Sequence, residues 1–480
     1  MKKSLQNWYA SLSIRSLTSV LSLAALVLFQ IVFAAAALVQ TPLAHFKQYQ
    51  LVDTVRLYHT ASADMARPLL LRMALLILAQ LLLYCFLSAS MDTSPMPILT
   101  PVGILLTISL VFQTYINAPS ASRKHFLLIL MGLNVLWAGA LLAKLLSRQA
   151  LTKNRLKQLL WGMLALCLVN LLLGLLHPVN GSGAFVSLLG ANFQPGELFK
   201  LLVILYVGMA FVPLREDPSL RRLFLLSMGA MLATLVLVRD LGNAAILFAM
   251  LLTVLYMLYG IPAALLTLLC GGVGAVLGYG ILFACSPNSY IVKRISDTFV
   301  ALANPEANAN LRRALLSVVR SGLLGRGLDN SLYATNNYAA NCDFCFDTIL
   351  AVFGAGTALL IVGSYAVLVL GCRVRLGETG QDMAYYTFGN LMMTLISTQA
   401  IIHIACNCNL LPLTGVCLPL ISTGGSNLLC SLFCTGLAVG CRISDAFAHR
   451  LGELCKGLLA SINPQDAAES NPFQGREFHV

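Results

Sequence analysis

Charge is scarce in this chain. Only 10% of its 480 residues are Asp, Glu, Lys or Arg, whereas 58% are hydrophobic and the mean hydropathy is +0.81. A soluble domain carries about 25% charged residues, so this chain lacks the polar surface to clothe its apolar mass in water. Soluble enzymes and nucleic-acid-binding folds are excluded, and with them a nucleic-acid partner. Tryptophan is rare too, with 3 residues beside 22 Phe and 15 Tyr. Apolar stretches run to about 20 residues and do not alternate over about 10, which excludes an outer-membrane barrel. Acidic residues number 19 against 31 Lys and Arg, a net charge of +12. That excess fits a membrane protein whose basic connections rest on anionic membrane lipid. A disulfide framework is also missing: of 14 Cys, Cys85, Cys167, Cys270, Cys430, Cys434 and Cys441 lie inside apolar runs and read as reduced packing residues. Cys342 and Cys345 form an isolated C-x-x-C. A structural zinc site needs four ligands, and Cys406 and Cys408 supply no matching pair, so no metal site is read here.

What is present is a series of apolar runs, at about residues 16–40, 69–90, 98–117, 125–147, 158–177, 197–214, 222–238, 241–260, 262–285, 346–371, 385–406 and 425–442. At about 1.5 Å per residue each approaches the hydrocarbon thickness, which predicts an all-α polytopic membrane protein of about 12 helices. The first run resembles a signal peptide but is long for one, and is read as a retained anchor. Basic residues Arg148, Lys153, Arg155 and Lys157 share one connection, and Arg215, Arg221 and Arg222 another. With twelve spans this places both termini in the cytoplasm. Lys47, Arg56, Arg67, Arg123 and Lys124 are read in outside connections, against that rule. Two outside segments are long, 178–196 and 286–345, and long connections carry function. The expected organisation is 1–157 as N-terminal helices, 158–445 as a core holding the large loop 286–345, and 446–480 as a polar cytoplasmic tail, disordered past Asn463.

The candidate chemistry lies at those outside segments. Gln194 and Pro195 lead into a helix whose first turns carry Glu197 and Lys200 three residues apart on one face. An ionisable pair at membrane depth is costly and points to function, or to a locked helix entry. Asp240 stands where it would cap the following helix. The large loop holds Lys293, Arg294, Arg312, Arg313, Arg320 and Arg326, a basic concentration suited to a pyrophosphate or lipid head group, or else to an amphipathic face lying on anionic lipid. Its carboxylates are Asp297, Glu306, Asp329 and Asp343. Residues 411–427, LPLTGVCLPLISTGGSN, interrupt apolar sequence with two Pro and three Gly, which predicts a re-entrant or half-helical segment.

These blocks together resemble the SEDS family (shape, elongation, division and sporulation; the RodA, FtsW and SpoVE group). FQPGELFK at 193–200 is similar to the family's FQPSE-x-x-K, and RDLGNA at 239–244 to PDLGTA. ALANPEA at 301–307 with LLSVVRSGLLGRGL at 315–328 resembles NPEADP and the glycine-rich stretch after it. NCDFCF at 341–346 resembles HTDFIF, and the 411–427 segment resembles LPVTGVPLPFISYGGSS. The resemblance covers about residues 160–445 and implies a ten-helix core, here with an extra N-terminal helical pair.

The resemblance implies polymerisation of lipid II into peptidoglycan glycan strands by inverting glycosyl transfer. Undecaprenyl pyrophosphate would leave, and a class B penicillin-binding protein would be the cross-linking partner. The implied role is in division, elongation or sporulation. A carboxylate would act as general base and cations would stabilise the leaving group. The family's base position falls on Asn308, whose amide accepts no proton, so Glu306 and Asp297 are the replacement candidates. The implied substrate-binding set is Gln194, Glu197, Lys200, Lys293, Arg294, Arg312, Arg313, Asp343, Ser422, Gly424 and Gly425. No cofactor is assigned, with a divalent cation such as Mg2+ left open. Tyr338, Ala339, Ala340 and Asn341 replace the family's PEAH, and Thr423 replaces a Tyr. Besides the enzyme, two readings stand: a scaffold that binds lipid II or a penicillin-binding protein without catalysis, and a flippase for a lipid-linked precursor.

Overall fold

Every apolar run of the sequence is a helix in the computed structural model. It describes residues 19–38, 54–91, 93–147, 151–176, 186–188, 191–289, 292–293, 295–296, 300, 319, 321–325, 340–373, 383–408, 410–440, 442–444, 446–447 and 453. In chain order the helices are α1 (Ser19–Leu38), α2 (Thr54–Ser90), α3 (Met96–Ile116), α4 (Pro119–Leu146), α5 (Lys153–Leu176) and α6 (Pro195–Glu216). They continue as α7 (Pro218–Leu237), α8 (Leu241–Tyr259), α9 (Ile261–Cys285), α10 (Cys345–Cys372), α11 (Met383–Asn407) and α12 (Gly425–Gly440). Eleven are long and apolar enough to cross a membrane, and α12 is shorter at 16 residues. The protein is a multi-pass membrane protein. Between α5 and α6 lies a small antiparallel hairpin of β1 (Val186–Leu188) and β2 (Ala191–Phe193). Arg56 and Arg67 lie on α2, and Arg123 and Lys124 on α4, so four of the five charges read as connections are helical. A helix satisfies its own backbone and continues past the end of its apolar stretch. Lys47 and the tail past Asn463 lie outside the described residues.

Because lipid tails are as apolar as Leu, close backbone packing and buried polar bonds join such helices. The closest pair is α4 with α12. Gly436 and Gly440, four apart on α12, lie so near α4 that a Cβ would come within 2.0 Å of Leu136 O and 2.3 Å of Ala140 O. Helix α10 packs on α3 and α11, α11 on α6 and α8, and α5 on α7. Helix α9 stands apart, along α8, with none of its residues buried.

The N-terminal pair is tied in by a buried polar knot. Gln30 Nε2 of α1 donates to Gln80 Oε1 of α2 at 2.5 Å and to Thr107 Oγ1 of α3 at 2.9 Å. At the bundle end opposite the long connections, Arg442 donates to Ser94 O (2.8 Å) and Gly371 O (2.9 Å). There too Lys153 pairs with Asp217, which caps α7 by accepting from Ser219 N.

Helix α10 is broken at Gly354, whose φ of 83° and ψ of 175° only glycine adopts readily. The break frees the N–H groups of Ala355 and Gly356, which donate to Gly322 O (2.9 Å) and Leu323 O (3.0 Å). Thus residues 321–325 of the large loop plug the break.

Candidate functional site

The helix ends nearest the 178–194 and 286–345 connections carry an unusual density of polar groups for an apolar chain. Pro195 opens α6 with a φ suited to the first helical position, and Glu197 falls in its first turn. Lys200 Nζ donates to Glu197 Oε1 at 2.7 Å; both residues are buried, at 0% and 4% exposure. Asn427 Nδ2 of α12 donates to the same oxygen at 3.2 Å, while Glu197 Oε2 is buried with no partner. Beside them Asp240 caps α8. Its Oδ1 accepts Asn243 N–H at 3.2 Å, and its Oδ2 accepts Asn243 Nδ2 (2.9 Å) and Gln194 Nε2 (3.0 Å). Burial raises the Asp240 carboxyl above its ordinary range, and the Asn243 and Gln194 hydrogen bonds act against that shift.

The second part is the broken segment between α11 and α12. Residues 412–418 have no regular structure, so their carbonyls and N–H groups need partners elsewhere. Side chains of the surrounding helices provide them. Ser109 Oγ and Gln113 Nε2 of α3 donate to Ile421 O at 2.9 and 3.1 Å. His403 Nδ1–H of α11 donates to Val416 O at 2.7 Å, and Tyr365 of α10 donates to Pro419 O. Phe346 N–H points at His403 Nε2 (3.4 Å), which assigns this ring as neutral with its proton on Nδ1. Leu420 takes a positive φ of 63° while buried, a strained conformation for a branched residue.

The lead into α10 is sewn to this segment. Ser422 Oγ donates to Cys342 O at 3.1 Å and accepts Leu418 N–H at 2.9 Å. Thr423 donates to Asn341 O through both N–H and Oγ1, at 3.2 Å each. Asn341 Nδ2 donates to Asn117 Oδ1 at 2.7 Å, and Asn407 Nδ2 to Asp343 O at 2.9 Å. Cys342 Sγ lies 3.3 Å from Cys417 Sγ. That neighbour, together with burial, pushes the Cys342 thiol well above its ordinary range.

Gln194, Glu197 and Lys200 therefore share one cluster with Asp240 and Asn427, while Asp343 and Ser422 share the other. Gly424 and Gly425 join the two at the start of α12. Lys293 is exposed just past α9, and no described contact draws it into either cluster. Asp297, Glu306, Asn308, Arg294, Arg312 and Arg313 lie outside the described residues. Among the described residues no group of three or more His, Cys, Asp and Glu is placed to hold a metal ion.

Sequence reading passed over Ser109, Gln113, Asn117, His403 and Asn407. The signal was present: 109, 113 and 117 are spaced by four on one face of an apolar helix, as are 403 and 407. Polar groups repeating at that interval inside a span face protein or a cavity.

A helical membrane bundle in which helix side chains hold a broken segment, with a buried ion pair and a capping carboxylate at the same end, defines a polytopic protein with a polar working end. Residues 90–444 match the family model described as cell cycle protein, of the FtsW, RodA and SpoVE group. The chain belongs to that family, and the matched residues hold the ten helices α3–α12. It is 29% identical over 357 residues to a probable peptidoglycan glycosyltransferase FtsW of Methylococcus capsulatus, covering 71% of this chain and 85% of the relative. With a protein of the same description from Nitrosococcus halophilus it shares 32% identity over 292 residues, 58% of this chain and 72% of the relative. A chain in a solved structure on coordination of polymerization and crosslinking by a peptidoglycan synthase complex is similar in fold. There the TM-score is 0.55 at 20% identity, over 71% of this chain and 95% of that one.

Proposed function

We propose that this chain is a peptidoglycan glycosyltransferase of a bacterial cell membrane, polymerising lipid II. The observation that carries the reading is the family match over residues 90–444. In the proposed step the 4-hydroxyl oxygen of the incoming disaccharide bonds to the anomeric carbon of the growing strand. The bond from that carbon to the pyrophosphate oxygen breaks with inversion, and undecaprenyl pyrophosphate takes the electron pair. Glu306 or Asp297 accepts the hydroxyl proton, since Asn308 has no basic oxygen to do so. Arg294, Arg312, Arg313 and Lys293 offset the charge growing on the leaving group.

In this reading Gln194, Asp343, Ser422, Gly424 and Gly425 line the lipid II site. The Glu197–Lys200 pair, buried and mutually bonded, holds the entry of α6 beside it. Both termini face the cytoplasm, which supports an outward site: the basic connections 148–157 and 215–222 then lie inside. A class B penicillin-binding protein is the proposed cross-linking partner.

The test is polymerisation of labelled lipid II by the purified protein with its transpeptidase, comparing wild type, Glu306→Ala, Asp297→Ala and Asn308→Asp. Polymer from wild type that vanishes in one Ala variant identifies the base. No polymer from wild type, with activity gained in Asn308→Asp, replaces the enzyme with a lipid-binding scaffold.

A further inference from the structure

Among the described cysteines, Cys342 and Cys417 stand out by position. Cys342 lies on the lead into α10 and Cys417 in the broken segment, 75 residues apart in sequence, with their sulfurs 3.3 Å apart. Both are half-buried and outside the apolar runs. Each sulfur is held in place by its backbone: Ser422 bonds Cys342 O, and His403 bonds the carbonyl of Val416 next to Cys417. Gly424 leaves room beside the pair, since a Cβ there would lie 2.7 Å from Cys417 Sγ. Cys345, the other member of the C-x-x-C, is wholly buried in the first turn of α10. The sulfur that meets Cys342 Sγ is thus that of Cys417, distant in sequence.

We propose that Cys342 and Cys417 are joined by a disulfide in the membrane-inserted protein, stapling the approach to α10 onto the broken segment. The inference rests on the outward orientation of this end in the proposed function, because only that compartment is oxidising. The oxidant is a disulfide-donor protein or a small-molecule disulfide on that side. One cysteine thiolate attacks a donor sulfur, the donor S–S bond breaks and a mixed disulfide forms. The second cysteine thiolate displaces the donor as the Cys342–Cys417 bond forms. The two cysteines lose two protons and two electrons, which the donor takes up as it leaves, as a dithiol from a donor protein or as two thiols from a small-molecule disulfide. The staple flanks Asp343, Ser422, Gly424 and Gly425, so it would fix the two walls of the proposed lipid II site against each other.

The experiment is peptide-resolved mass spectrometry of full-length protein, alkylated in cells and digested without reductant. A peptide linking Cys342 to Cys417 is expected, absent from Cys342→Ser and Cys417→Ser. Reductant is expected to lower the apparent melting temperature of wild type by several degrees and to leave the double variant unmoved. Free, alkylated thiols at both positions, or a link from Cys342 to Cys345, overturn the proposal. Orientation is read separately from Asn288→Cys, exposed just past α9, with a membrane-impermeant maleimide on intact cells. Labelling with free Cys342 and Cys417 thiols overturns the staple alone. Labelling only after permeabilisation overturns the outward orientation itself.

Discussion

Replacing Gly354 by Ala tests how α10 is broken. At φ 83° and ψ 175° a side chain costs about 1–3 kcal/mol in backbone strain alone. The added Cβ would also stand 2.2 Å from Gly325 N and 2.4 Å from Leu323 O, which are backbone atoms with no rotamer to yield. Relief requires residues 321–325 to move away, costing the two hydrogen bonds to Ala355 and Gly356 at about 0.5–1.5 kcal/mol each. The combined loss is about 2–6 kcal/mol. Gly363→Ala, in the same helix with nothing within 4 Å of its Cβ, is the matched control and should hold or gain about 0.5–1 kcal/mol from helix propensity. The assay is apparent melting in detergent, followed by fluorescence size-exclusion. Glycosyltransferase activity is read in parallel, because the displaced segment lies between Arg320 and Arg326 of the basic loop. If Gly354→Ala and Gly363→Ala melt together, the loop does not plug the break and the reasoning fails.

Other perturbations follow from the same geometry. Lys200→Met strands Glu197 as an unpaired buried charge and should cost about 3–5 kcal/mol; Glu197→Gln with Lys200→Met should recover part of it, and a melting series in which the double variant is no better than the single counts against the pair. Gln30→Leu removes the knot joining α1 to α2 and α3 and should cost about 0.6–2 kcal/mol, read as lost protease resistance of α1; unchanged cleavage would show that apolar packing alone holds the helix. Lys153 holds the Asp217 carboxyl far below its ordinary range, so its contribution is whole above about pH 4 and is lost as pH falls below the free-chain value. The melting difference between wild type and Asp217→Asn should therefore narrow on acidification, and a pH-independent difference would refute the pairing.

Local features were legible because their causes are local. Pro195 predicts the start of α6, Asp240 caps the next helix through an N–H three residues away, and Glu197 meets Lys200 one turn on. The 411–427 segment reads as broken from its prolines and glycines. Partners distant in the chain were not legible. Nothing near Gly354 shows that its freed neighbours bond to residues 322 and 323, and nothing in the spacing of the cysteines shows that Cys342 meets Cys417. Arg56, Arg67, Arg123 and Lys124 were misplaced for a different reason: hydropathy marks where lipid begins, not where a helix does.

The sequence alone determined that the chain spans a membrane, about how many helices it has to do so and that residues 411–427 are broken. The lipid core imposes those features residue by residue through transfer energy and backbone hydrogen bonding. Only the tertiary structure decided which side chains satisfy the broken backbone, and that the buried Glu197–Lys200 pair also binds Asn427. Inside a bilayer a polar group left without a partner is costly, so most find one in the protein. Which partner it finds is settled by helix packing, and the one-dimensional pattern does not contain that packing.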